Sequence, residues 1–305
     1  MVADRKRSFI VYRRGRAFTL AELLTVLAIM AIMAGLLFPA FLSAKSAAKG
    51  SVCLSNMRQA WAAANMYIDD YDQYFMPVNH RPGAFPNPKL DRTWVQLVLP
   101  YARVLPHGRS FEIFTCPADT SLWEGPDTAF DQDLVPGDVY ARYYTASMHV
   151  NMGFNYLYLS PIIARDGKWV SVPKSTMSVS DPSRTLLFVD SIWDRTKDGA
   201  PIDGGSWLVV PPCRFEEEGT RRVDTFAPDG TVYTPFVGGG WHVDQPNSPH
   251  IYGNAWPWHN GHVNLVRVDG SVKSVPIGLL TAGCDVQESW NGLIDDPSAY
   301  MWDLR

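Results

Sequence analysis

Glu22 stands at the head of a long apolar stretch, since no charged residue occurs from Leu23 to Ala44. A carboxylate beside so much apolar surface costs several kcal/mol unless a partner meets it. Its chemistry is therefore ion pairing. A second group is acidic: Asp190, Asp194, Asp198 and Asp203, with Gly199, Gly204 and Gly205 among them. Hard cations take such oxygens on flexible loops, so the series offers a calcium loop, although its spacing is not that of an EF-hand. A solvated acidic loop is the competing reading. A third group is His259-Asn260-Gly261-His262, with His242 and His250 upstream. Neither His-Glu-x-x-His nor Cys-x-x-Cys is present, so these histidines read as loop or packing residues. The four cysteines allow two disulfides in an exported domain. Cys53–Cys116 with Cys213–Cys284 is the preferred pairing, and a free buried Cys53 is the alternative. No nucleophile elbow or phosphate-binding glycine loop occurs. Gly204-Gly205-Ser206 has no base matched to it, and Gly238-Gly239-Gly240 reads as a turn. The expectation is a protein that is not an enzyme.

The elements that carry these residues are legible in outline. Hydrophobic residues make up 46% of the 305 and charged residues 19%, which suits a chain with a packed core. The formal charge is −4, yet the first 17 residues hold six basic groups (Arg5, Lys6, Arg7, Arg13, Arg14 and Arg16) against Asp4. The remainder is distinctly acidic, which argues against nucleic acid as a partner. Behind the basic head, the uncharged run of 22 residues meets the roughly 20 needed to span a bilayer. The positive-inside bias places the head in the cytoplasm and the bulk of the chain across the membrane. A removable secretory signal, cut near Ala44 to Ala48, and a plain single-span anchor are the two simpler readings.

The residues around Glu22 read Arg14-Gly15-Arg16-Ala17-Phe18-Thr19-Leu20-Ala21-Glu22. This resembles the processing site of prepilins and type II secretion pseudopilins. The resemblance implies cleavage between Ala17 and Phe18 by a prepilin peptidase, with N-methylation of Phe18. Ala17 departs from the Gly that the family usually has there. Glu22 becomes the fifth mature residue, and Pro39 falls where such proteins often carry a helix-weakening proline. Cleavage would free a positive amine on Phe18, which Glu22 of a neighbouring subunit could neutralise. The implied partners are the peptidase, an inner-membrane assembly machinery, membrane lipid, and further copies or other pilin-like subunits in a filament. The implied location is the inner membrane with a periplasmic globular domain, then a surface filament. Some pseudopilins bind calcium in the C-terminal domain, which accords with the acidic series.

Beyond the apolar run, Cys53, Met57, Ala60, Trp61, Ala64, Tyr67, Ile68 and Tyr71 form one helical stripe. A nearly continuous helix from Phe18 to Asp70 would be about 80 Å long. Pro39 and Gly50 are its soft points. The expected organisation is a leader over 1–17, a membrane or filament-core helix over 18–44, and an amphipathic stalk over 45–72. A Pro-rich linker over 73–93 and an exported domain over 94–305 follow. The last part reads as strand-dominated. Trp94 to Ala102 predicts a short helix closed by Pro100. Asp-Gly at 166–167, 229–230 and 269–270 predicts hairpins, and Leu186 to Val189 predicts a buried strand. The fold class is α+β, a long pilin-type helix packed on an antiparallel β-rich domain.

Several phrases resemble large prepilin-like proteins that end in a His-x9-Asp-Gly signature. Here it is His259 followed by Asp269-Gly270. Supporting phrases begin at Cys53, Tyr67, Phe114 and Asp181. Strand geometry would separate His259 from Asp269 by up to about 33 Å, so a structural role is expected rather than one site. The function expected is a filament subunit. A sugar-binding tip adhesin built on Trp241, Trp256, Trp258, Trp290 and Trp302 is the alternative, and a membrane-anchored hydrolase stands behind it.

Overall fold

The computed structural model describes residues 19–80, 90–102, 111–121, 139–227, 231, 241, 251–287 and 290–305. The chain divides into two units, Met1–Lys45 and Ser46–Arg305. Helix α1 covers Leu20–Asp70 and contributes to both. In the first unit every described residue up to Ala44 is exposed, large aliphatic side chains included. Pro39 is accommodated inside the helix. Its ring faces the carbonyl of the residue four earlier, which is Gly35.

In the second unit α1 buries Cys53, Met57, Ala60, Ala63, Ala64, Tyr67 and Ile68. Three alanines on this face let the helix lie close to its neighbours. Trp61 is only partly covered, and Tyr71 is exposed while stacking on Tyr67 at 4.2 Å. The helix ends at Asp70, and Asp72 and Gln73 then take positive φ. Three carboxylates against the negative end of the dipole favour that stop.

The remaining elements, in order, are β1 (Asn79–His80), β2 (Arg92–Thr93), α2 (Trp94–Val98), α3 (Val139–Met148), β3 (Met152–Asn155), α4 (Tyr156–Leu159), β4 (Ile162–Arg165) and β5 (Lys168–Ser171). There follow β6 (Leu186–Asp190), β7 (Asp194–Arg195), β8 (Pro201–Ile202), β9 (Leu208–Val209), β10 (Cys213–Glu218), β11 (Arg221–Asp224), β12 (His262–Arg267), β13 (Val272–Pro276) and β14 (Gly292–Leu293). The main sheet has the order β13-β12-β6-β3-β9, antiparallel except for the β3–β9 pair. All five residues of β6 are buried, so both faces of this strand are covered. A second sheet has the order β11-β10-β14. The fold is α+β.

Trp94 is fully buried, stacks on Phe188 at 4.7 Å and donates to the Trp207 carbonyl at 2.6 Å. Its helix begins with a capping box between Thr93 and Gln96 and gives way to a 3-10 turn at Leu99–Tyr101 carrying Pro100. Asp166-Gly167 forms a two-residue hairpin loop between Arg165 and Lys168, both residues at positive φ. Asp269-Gly270 closes the β12–β13 hairpin. Gly270 N–H bonds the Arg267 carbonyl, and Arg267 N–H bonds that of Ser271. Asp229-Gly230 lies outside the described residues.

The segment expected as a free linker is built into the core at both ends. Phe75, Met76 and Val78 are buried, Phe75 N–H bonds the Lys174 carbonyl, and β1 pairs with β2. Pro82, Pro86 and Pro88, on which the linker reading rests, fall in 81–89, outside the described residues. The apolar run at 75–78 is what seats the chain.

Candidate functional site at the N-terminal segment and a buried thiol, imidazole and carboxylate cluster

Ala17 and Phe18 lie outside the described residues, so the geometry of the N-terminal segment begins at Thr19. Thr19 precedes the first helical residue, and Glu22 stands three places on. The Glu22 carboxylate accepts from the Thr19 N–H and hydroxyl, each at 2.8 Å, while Glu22 N–H donates to Thr19 Oγ1 at 3.2 Å. This is a reciprocal capping box. The Thr-Leu-Ala-Glu spacing thus starts the helix as well as presenting an acid. From here α1 contains the one described helix long and apolar enough to cross a membrane.

The acidic series does not form one site. Asp190 ends β6 and is fully buried, whereas Asp194 lies in β7, Asp198 in a turn and Asp203 at a bend with positive φ. Among the described residues these four carboxylates do not gather. The calcium reading is corrected accordingly: Asp190 is buried at the end of its strand, whereas Asp194, Asp198 and Asp203 lie in the segment beyond it and are not buried.

Asp190 instead meets residues from three other parts of the chain. Ligand atoms of Cys53, Cys116, Asp190 and His259 all lie within 4.8 Å of one another. The Cys53 thiol donates to Asp190 Oδ1 at 3.3 Å. Cys116 Sγ is 3.4 Å from His259 Nε2, which is 3.7 Å from Asp190 Oδ2. Cys53 and Cys116 are free thiols, so the expected bridge between them is corrected too. The Cys53 sulfur meets a carboxylate oxygen and the Cys116 sulfur an imidazole nitrogen. Cys213 and Cys284 do form a disulfide, with Cα atoms 5.8 Å apart.

Local structure explains the convergence. Cys53 belongs to the buried stripe of α1. Cys116 follows a short 3-10 turn, whose carbonyls at Glu112 and Thr115 accept from Asn56 of α1. The Cys116 N–H then donates to Asn151 Oδ1 at 2.8 Å, which fixes the cysteine. His259 sits at the mouth of a tight turn, Asn260-Gly261, with both residues at positive φ and backbone bonds in each direction between His259 and His262. The Asn-Gly dipeptide is a strong hairpin signal in the sequence, although the flanking histidines read there as loop or packing residues. Trp256 N–H and the Trp258 ring N–H tie the approach to this turn onto the carbonyls of Asp190 and Ser191.

The electrostatics are those of a crowded, nearly dry site. Hydrogen bonding with Cys53 draws the Cys116 pKa down to about 5, against burial and with help from His259 and the Ala118 N–H. The same contact, then burial and the Asp190 charge, push the Cys53 thiol up. Burial and the nearby Cys116 charge hold the Asp190 carboxyl well above its usual range, although the Asn264 N–H donates to it at 2.7 Å. Burial alone would lower His259, but Cys116 and Asp190 outweigh it and raise the imidazole.

The His-x9-Asp-Gly spacing also acquires a physical meaning. The imidazole of His259 lies over Gly50 of α1, where an added Cβ would stand 3.5 Å from Nδ1. Gly270 lies over Trp61 of the same helix, where a Cβ would come within 2.5 Å of the indole. Trp61 in turn donates to the Val268 carbonyl at 3.2 Å. Gly50 and Trp61 are three helical turns apart, about 16 Å. The six residues of β12 cover about the same length. The signature therefore docks one strand against one helix at both ends. His242 and His250 lie outside the described residues, and His262 is exposed.

Compared with known proteins, residues 12–38 match the family described as the prokaryotic N-terminal methylation motif. That stretch contains Ala17, Phe18 and Glu22 and most of the exposed half of α1. No curated protein and no solved structure matches the chain. The N-terminal segment is thus similar to that of prepilin-like proteins, and the long apolar helix accords with that similarity.

Proposed function

We propose that the chain is a structural subunit of a pilus or pseudopilus. In this reading a prepilin peptidase removes residues 1–17 and the new amine of Phe18 is methylated. The exposed half of α1 first holds the subunit in the inner membrane, with the second unit on the periplasmic side. It then packs against the same helix of neighbouring subunits. Glu22 pairs with the Phe18 amine of an adjoining copy. The only covalent chemistry in this account is done to the chain.

One observation carries the reading: the methylation motif runs directly into a helical stretch whose apolar residues find no cover among the described residues. Burial of such side chains is worth roughly 25 cal/mol per Å², so lipid or other helices must supply the cover. The test is co-expression with a prepilin assembly system and shearing of the cells. The subunit is expected as a polymer in the sheared fraction. Recovery solely as a monomeric membrane protein, with the other subunits polymerising, would contradict the assembly role.

The adhesin reading loses support from the packing of its tryptophans. Trp241 and Trp302 are buried and meet edge to face at 5.6 Å. The Trp258 indole N–H is used on Ser191, and Trp290 stacks under the Arg214 guanidinium at 4.5 Å. These rings build the core more than they offer a platform for sugars.

A further inference from the structure

Three phrases singled out in the sequence, around Cys53, Cys116 and His259, meet at Asp190, and the filament reading gives that meeting no role. We propose that Cys53, Cys116, Asp190 and His259 are the four ligands of a structural zinc ion that fastens α1 to the main sheet.

The donor set fits that ion. Two thiolates, an imidazole and a carboxylate are zinc's usual ligands, and a site closed by four protein groups is structural rather than catalytic. Thiolate donors exclude calcium and magnesium, which take oxygen. The spacing fits as well. Zinc bonds of about 2.0–2.3 Å place tetrahedral ligands roughly 3.3–3.8 Å from one another. Three contacts around the cluster measure 3.3, 3.4 and 3.7 Å. Cys53, Cys116 and Asp190 are each at most 2% exposed, so the ion would be shielded from water on most sides.

The surroundings are those a metal thiolate needs. The Asp190 Oδ2 is oriented by the Asn264 N–H, and the Ala118 N–H points to the Cys116 sulfur. Asn264 is 1% exposed, and its side-chain Nδ2 has no hydrogen-bond partner. That amide lies beside Cys53. A buried unpaired donor is costly to the fold, and a metal-bound sulfur carrying negative charge gives it a purpose. On binding, each ligand that still carries a proton on its donor atom releases it to water, and no electron is transferred. The ligands come from α1, the segment after the 3-10 turn, the end of β6 and the turn before β12. One ion therefore closes long loops among four separate segments, which is where a cross-link stabilises most.

The test uses the full-length chain in detergent, with zinc alone as ligand. Metal analysis is expected to find about one zinc per chain, with Cys53 and Cys116 protected from thiol reagents until a chelator is added. Cobalt added to the stripped chain should give thiolate-to-metal charge-transfer and tetrahedral d–d bands. Cys53→Ser and Cys116→Ser should each weaken binding by more than the roughly 10–100-fold typical of losing an outer hydrogen-bond partner, while Asp194→Asn leaves it unchanged. Since either cysteine variant could lose its fold, the unaltered chain is also melted after chelation with and without zinc, and zinc must raise Tm. A Cys53–Cys116 disulfide in the isolated chain, with no zinc uptake after reduction, overturns the proposal. So does zinc affinity that survives His259→Ala and Cys116→Ser undiminished. A chain that never polymerises would still bind zinc, so this result and the filament result are separable.

Discussion

The two halves of α1 share a backbone conformation and differ in what covers them. Residues 20–44 are apolar on every side and exposed, whereas Cys53 to Ile68 bury one stripe and show solvent a polar face. A helix that is apolar all round needs an apolar surrounding. The difference teaches that the first half is adapted to a medium or partner outside the chain, and the second to this chain's own sheet. Side-chain substitutions should therefore act on different observables in the two halves.

The largest contrast is expected at Glu22. Glu22→Leu should leave the melting of the second unit unchanged and weaken assembly by over a hundredfold, since losing one partner of a desolvated ion pair costs about 3–5 kcal/mol. Sedimentation of sheared filaments against thermal melting reads both quantities. Next comes a matched pair of methionines. Met57→Ala, in the buried stripe, should cost about 2–5 kcal/mol of stability, while Met30→Ala, at a position 63% exposed, should cost almost nothing in a denaturant titration. A like change in both would erase the distinction.

The hairpin turns offer a smaller contrast. Gly270 has φ +86° and touches Trp61, whereas Gly167 has φ +72° and open space where a Cβ would go. Gly270→Ala should therefore lose about 1–3 kcal/mol beyond the backbone strain common to both. Equal losses would mean that the strand does not lean on the stalk. Smallest is the helix start. Thr19→Ala removes the capping box and should cost about 1 kcal/mol of local helix stability, read as faster amide exchange over the first turn with no change beyond Ser46.

Much of this architecture is legible in local signals. The uncharged run, the Cys53 to Ile68 stripe and the Asp166-Gly167 turn depend on neighbours in sequence, so periodicity and turn chemistry expose them. The cluster at Asp190 is different in kind. Its four residues come from segments separated by up to some two hundred positions, and each alone looks like a buried cysteine, an acidic loop residue or a packing histidine. Tertiary topology brings them together, and sequence spacing does not encode it. The same limit led the acidic series to be read as one loop, because Asp190 belongs to the strand and its neighbours in sequence do not. The Cys53–Cys116 proximity could be anticipated from their flanking elements. Their chemistry could not, because it depends on Asp190 and His259.

Mass spectrometry of the mature N-terminus, on chain recovered from membranes, tests the central claim most directly. The account predicts a polypeptide that starts at Phe18 and carries one methyl group on its amine, with Glu22 four residues in. A chain beginning beyond Ala44 would contradict it, because the apolar half of α1 would then be discarded and nothing would remain to build a filament core.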